Sequence, residues 1–266
     1  MKTYSFAEVS ASYTQKRDWE KQFPVSRYIF RPLSFRATAF LSRFTNSPEK
    51  IAWAGLAVGA CAAWLLVNLR YFGPWPGITA LALFALLDAV DGNMARVTGN
   101  VTLYGRMLDG MLGKIAEGIY LPALACGLYL EQSGLPWRAG FLAAGGNRFA
   151  EPAPWLLVVA GFTALCAMLY ASIVETTYDH LKLQKAPPVP TDVKAEIQSS
   201  RFRGNFLYSI FINLNAFNVQ VLLLAGAAMA GTRGLALFIQ AFAAYYTIRL
   251  LVVFTYYMRR ASQELR

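Results

Sequence analysis

Asp88 and Asp91 stand three residues apart in LLDAVDGNMAR, and Asp109 follows in YGRMLDGMLGK, in a chain with only 15 acidic residues among 266. Carboxylates three apart share one face of a helix. Gly99 and Asn100 mark a turn between the two stretches, so a second helix returning antiparallel brings Asp109 to the same depth. Three uncompensated acids inside apolar segments are costly. A divalent cation relieves that cost, and hard oxygen donors suit Mg2+, Mn2+ or Ca2+. Gly92 and Gly105 remove side chains where a ligand approaches the backbone, and Arg96 offers a guanidinium fork to phosphate oxygens. The plainer reading is Asp–Arg pairing for bundle stability, but three acids flanked by two glycines exceed what pairing requires.

Helices must hold these residues, and the composition supplies helices of the membrane kind. Hydrophobic residues make up 56% of the chain, against roughly 45–50% in a soluble domain. Six apolar stretches, about 51–72, 76–96, 102–130, 153–179, 205–230 and 234–258, are long enough to cross the hydrocarbon layer. The expected fold is all-α: a polytopic membrane protein with six transmembrane helices, preceded by an amphipathic interfacial helix. Residues 1–50 form a cytoplasmic N-terminal segment, and 51–266 one transmembrane domain without an internal repeat. In the first segment Ile29, Leu33, Ala37, Phe40, Leu41 and Phe44 recur at helical spacing, interleaved with Arg27, Arg31, Arg36 and Arg43. Such a helix lies in the interface with its basic side toward anionic headgroups, or else packs on the bundle as an ordinary cytosolic helix.

Charge sets the topology. Basic residues crowd the N-terminal segment, the turn with Arg96 and Arg106, the stretch Lys182–Arg203 and the C-terminus, while the other connections hold few. The positive-inside rule then puts both termini and the acidic turn in the cytoplasm, which means the inner membrane if the source is bacterial. Because the net charge of +10 tracks topology, nucleic acid is not an expected partner. Polar residues recur in the later spans: Glu175, Asp179, Asn213, Asn215, Asn218, Gln220 and Arg249. So many at similar depth suggest a water-filled cavity open to the cytoplasm, with Asn213, Asn215 and Arg249 as candidate ligands. His180 is explained by its place at a helix end, and Cys61, Cys126 and Cys166 have no ligand spacing.

The acidic stretch resembles the signature of the CDP-alcohol phosphotransferase family, D-x2-D-G-x2-A-R-x8-G-x3-D-x3-D. Asp88, Asp91, Gly92, Ala95, Arg96, Gly105 and Asp109 match it without a gap. The six-span layout and amphipathic N-terminal helix extend the resemblance over nearly the whole chain. It implies transfer of a phosphoalcohol group from a CDP-alcohol to an acceptor hydroxyl with release of CMP, in lipid or related polar-metabolite synthesis. It further implies a two-metal Mg2+ or Mn2+ site on the aspartates, and a nucleotide beside Gly92, Ala95, Arg96 and Gly105. Membrane lipids surround such a protein, and a homodimer is a candidate assembly. In the family pattern the last aspartate completes the metal shell and takes the acceptor's proton. Here that position is Gly113, and Glu49 and Ala52 replace a nucleotide-contacting PNxxT-like motif. Glu117, one helical turn beyond Gly113, and Glu175 are the candidate replacement bases. The alternatives are an acceptor that needs no protein base, a silent member that binds metal and nucleotide, or a small cation-coupled transporter.

Overall fold

The structure is a computed structural model, and it describes residues 2–13, 23–132, 154–185, 210 and 212–264. Residues 133–153 and most of the basic stretch Lys182–Arg203 lie outside these residues.

Among the described residues there are helices and turns and no strands. A short α1 (Phe6–Ala11) precedes a π-helical turn, Ser26–Phe30, that runs into α2 (Arg31–Leu41). Then follow α3 (Pro48–Val67), a single turn α4 (Leu69–Phe72), α5 (Trp75–Thr98), α6 (Leu103–Gln132), α7 (Pro154–Lys185), α8 (Phe217–Met229) and α9 (Gly231–Glu264). Five of these, α3, α5, α6, α7 and α9, are long and apolar enough to cross a membrane. The chain is an all-α integral membrane protein. Of the stretch expected to cross at 205–230, residues 205–209 and 211 lie outside the described residues; 210 and 212–214 are helical, and the 13-residue α8 follows. Its N-terminal end is set by a turn, in which the Ala216 N–H donates to the Asn213 carbonyl at 3.0 Å.

Residues 2–13, 23–65, 74–117 and 212–226 form one compact unit; 66–73, 118–132, 154–185 and 227–264 form a second. In the first, α2 packs on α5: Ser34, Thr38 and Ser42 are each 0% exposed, Phe35 is buried, and Ala37 and Leu41 pack against the cluster of Ile51, Val90 and Met94, whereas Ile29, Leu33, Phe40 and Phe44 face outward. Small residues let two backbones approach closely. An exposed apolar side of this kind is what an interfacial helix presents to lipid. The α1 segment is laid over α2: the Tyr4 N–H donates to Ser42 Oγ, Asn46 Nδ2 donates to the Lys2 carbonyl, and Val9, Tyr13 and Phe35 form a buried cluster. A capping box starts α1, and the hydrogen bonds from Ser5 hold the Glu8 carboxyl below its ordinary range.

In the second unit α7 packs along α9, and small residues set other approaches. At Gly127 an added Cβ would lie 2.0 Å from the Leu66 carbonyl oxygen, a backbone atom that cannot swing away. We expect Gly127→Ala to cost more than the ~1–3 kcal/mol of ordinary overpacking. The readout is a lowered melting midpoint in detergent with reduced monodisperse yield. Gly226→Ala, with nothing within 4 Å of the new Cβ, should melt like the parent.

Candidate functional site

Helix ends on either side of one turn place the acids. Gly99 closes α5 with φ +72°, a left-handed conformation suited to glycine, and its N–H donates to the Arg96 carbonyl. Thr102 then opens α6: its Oγ1 accepts from the Gly105 N–H at 2.9 Å and its carbonyl from the Arg106 N–H at 3.1 Å. With the chain reversed in so few residues, Asp109 returns to the level of Asp88 and Asp91. The three aspartates line one pocket together with Ala52 and Gly55 of α3, Phe84 of α5, and Leu112 and Gly113 of α6. Asp91 is 7% exposed, while Asp88 and Asp109 are accessible and hydrogen-bonded to each other.

Three acids lining one pocket repel one another, and a cation held among them would offset that repulsion. All three donors are hard oxygens, and the walls of Phe84 and Leu112 are apolar. By donor chemistry the residues therefore fit a divalent cation. Among the described residues no three His, Cys, Asp or Glu side chains already converge as a closed ligand set.

Gly113 lines this pocket, and a Cβ built on it would lie 3.7 Å from Asp88 Oδ1, an ordinary van der Waals separation. The position thus has room for a side chain and aims it at the acids. Glu117 is within electrostatic reach of Asp88 and pairs with Lys114 at 3.4 Å. Ala52, one of the departures from the family pattern, is also a pocket wall.

Gly92 serves the arginine directly: a Cβ there would sit 3.4 Å from Arg96 Nη2. Arg96 Nη2 donates to Asn93 Oδ1 at 2.7 Å, and Arg31 Nη1 from α2 donates to the same oxygen at 3.4 Å. The Asn93 amide in turn donates to Ser34 Oγ at 2.9 Å. Both guanidiniums lie over the Tyr13 ring, Arg31 at 4.3 Å and Arg96 at 4.9 Å from its centroid. Arg31 is within electrostatic reach of Asp88, and Arg96 within that of Asp91. Sequence reading assigned Arg31 to the headgroup side and gave Asn93 and Tyr13 no role. Their convergence joins positions 13, 31, 34, 93 and 96, a spacing no local pattern reveals. The nearest signal was that Asn93 directly follows Gly92.

The polar residues of the later spans divide between the two units. Asn213 and Asn215 precede α8 in the first, where Gln220 Nε2 donates to the Leu214 carbonyl and Asn218 Oδ1 accepts from the Val219 N–H. In the second, Arg249 Nη2 donates to both carboxylate oxygens of Glu175, at 2.9 and 3.1 Å. The arginine side chain is 7% exposed and that of Glu175 32%. Glu175 is therefore engaged by a buried cation. Asp179 and His180 are exposed near the end of α7.

The family model for CDP-alcohol phosphatidyltransferase matches residues 45–198, which contain every pocket residue. An archaetidylinositol phosphate synthase of Aeropyrum pernix is 39% identical over 84 residues, 31% of this chain and 41% of that protein. A phosphatidylinositol phosphate synthase of Streptomyces avermitilis is 39% identical over 93 residues, 35% of this chain and 37% of its own. A chloroplastic CDP-diacylglycerol–glycerol-3-phosphate 3-phosphatidyltransferase of Oryza sativa subsp. japonica is 33% identical over 76 residues, 29% of this chain and 22% of that protein. The chain thus matches each of them over less than half their length. With the family match covering more than half of this chain, and with the signature aspartates brought into one pocket on paired membrane helices, the chain belongs to the CDP-alcohol phosphatidyltransferase family.

Proposed function

We propose that this protein transfers a phosphoalcohol group from a CDP-alcohol to an acceptor, releasing CMP, in the synthesis of phospholipids or related polar lipids. The observation that carries this reading is the shared pocket of Asp88, Asp91 and Asp109, with Arg96 beside Asp91. Asp88, Asp91 and Asp109 would hold Mg2+ or Mn2+, which when bound neutralises phosphate charge and stabilises the leaving CMP oxygen. Arg96 adds a fixed positive charge for a donor phosphate, and Gly92 leaves space for its guanidinium. Gly105 spends its N–H on the Thr102 cap, so its part in nucleotide binding is the open space beside its backbone. Ala95 stands between these groups on α5. The relatives' names speak of inositol phosphate lipids and of glycerol 3-phosphate, which supports a phosphorylated polyol as acceptor. Glu117, one helical turn beyond Gly113 and paired with Lys114, is the acid that would receive the acceptor's proton. Following the basic-residue distribution, the pocket and both termini face the cytoplasm.

A second reading, binding of metal and nucleotide without turnover, is favoured by one observation: the open space at Gly113 where the pattern has a carboxylate. The two separate in one assay. Purified protein in nanodiscs is given CDP-diacylglycerol, a phosphorylated polyol and Mg2+, and CMP is measured. The proposed function expects CMP release that EDTA abolishes and Mn2+ restores. Binding of CMP and Mn2+ with no release, across a panel of polyol phosphates, would establish the silent reading instead.

A further inference from the structure

We propose that Tyr13 is a positioning residue that holds Arg31 and Arg96 side by side as a paired-guanidinium clamp for a phosphate group of the nucleotide donor. This rests on the donor reading above and extends it to residues outside the stretch 45–198 that the family model matches.

The geometry is unusual for two like charges. Both guanidiniums donate to the single oxygen of Asn93, at 2.7 and 3.4 Å, and both lie within 5 Å of the centroid of one ring. Neighbouring cations repel, so a structure that gathers them must supply compensation. Part of it comes from the π face of Tyr13, which attracts a guanidinium on stacking. Part comes from Asp88 and Asp91, each within reach of one arginine. A phosphate oxyanion would add to these partners, because it accepts from two forks at once.

Tyr13 is itself fixed. It is 2% exposed, packed against Phe35 at 5.6 Å between ring centroids, and carried by the α1 segment that is tied to Ser42 and Asn46. Asn93, 1% exposed, is oriented by its bond to Ser34 and so presents its oxygen to both arginines. Each member of the clamp is thus locked by a neighbour from another helix. The N-terminal segment, which lies before the stretch the family model matches, becomes part of the donor site.

The test uses full-length protein in nanodiscs with CMP, pyrophosphate and cytidine as probes, by titration in the presence of Mn2+. Arg31→Gln should weaken CMP and pyrophosphate about tenfold, the effect of one charge-assisted hydrogen bond. Tyr13→Leu keeps an apolar filler but removes the π face, and should weaken both about threefold to tenfold, while Tyr13→Phe stays within about twofold. Cytidine, which lacks phosphate, should be unaffected by any of them. In turnover, Tyr13→Leu should raise KM for the CDP-alcohol with little change in kcat. A merely structural role for Tyr13 would lower the melting midpoint while leaving CMP and pyrophosphate affinities unchanged, and that result overturns the proposal. Should Tyr13→Leu not fold, unchanged affinities in Arg31→Gln overturn it equally. Pyrophosphate binding that responds to the variants, with no CMP binding by any protein, would uphold the clamp and reject the donor reading.

Discussion

Asp91→Asn lowers CMP release by about 10³-fold or more, and at the same time raises the melting midpoint measured in EDTA. The first effect follows from what a carboxylate does in this pocket. Removing one of three hard donors takes several kcal/mol of charge stabilisation from the transferring phosphate, and about 4 kcal/mol corresponds to 10³-fold. The second follows from electrostatics without metal. Asp91 is 7% exposed beside two further acids, so its charge is a liability until a cation is bound. Asparagine keeps the shape and removes the charge. The measurement is CMP release together with thermal melting in EDTA and in Mn2+. Mn2+ should stabilise the parent strongly and Asp91→Asn little, because a ligand stabilises only the state that binds it. Equal activity of parent and variant would exclude the aspartate pocket as the reaction site.

Gly113→Asp is expected to raise turnover by about 10²-fold, the lower end of what a general base contributes. The structure makes this a fair experiment. A Cβ at 113 meets only Asp88 Oδ1, at 3.7 Å, so the new side chain enters the pocket without displacing anything. Gly113→Ala, which fills the same space without a carboxylate, should show no gain. In EDTA the fourth acid should lower the melting midpoint, and Mn2+ should recover it. Glu117→Gln distinguishes how the parent manages without an acid at 113. It should cost about 10²-fold or more if Glu117 receives the proton. Its pairing with Lys114, with the two side chains 30% and 45% exposed, is weak enough to be exchanged during turnover. Robust parent activity indifferent to Glu117→Gln would turn attention to the acceptor's own phosphate as proton acceptor. Glu175 is less suited to the role, since Arg249 already binds both of its oxygens.

The sequence by itself determined the class of molecule and the acids of the site. Apolar runs of about 20 residues have one structural outcome in lipid, because every backbone polar group must bond within its own helix. Asp88 and Asp91 share a face by the helical period, and Gly99 with Asn100 marks a turn short enough to return Asp109 to them. These are local constraints, readable from spacing. The direction of the N-terminal helix was not. Its apolar residues were legible as a stripe, yet only packing showed that the stripe divides, with Ala37 and Leu41 turned to the core and Ile29, Leu33, Phe40 and Phe44 outward, and that Ser34, Thr38 and Ser42 are fully buried. Nor does the hydropathy of 205–230 reveal the turn at Asn215 and Ala216 from which α8 starts. Tertiary structure also decided the fates of equivalent-looking charges. Arg31 and Arg249 are both basic residues near apolar segments, but one joins Arg96 over Tyr13 and the other closes on Glu175. The physical reason is range. Helical periodicity orders residues three or four apart, whereas Arg31 and Asn93 meet across 62 positions through the packing of two helices.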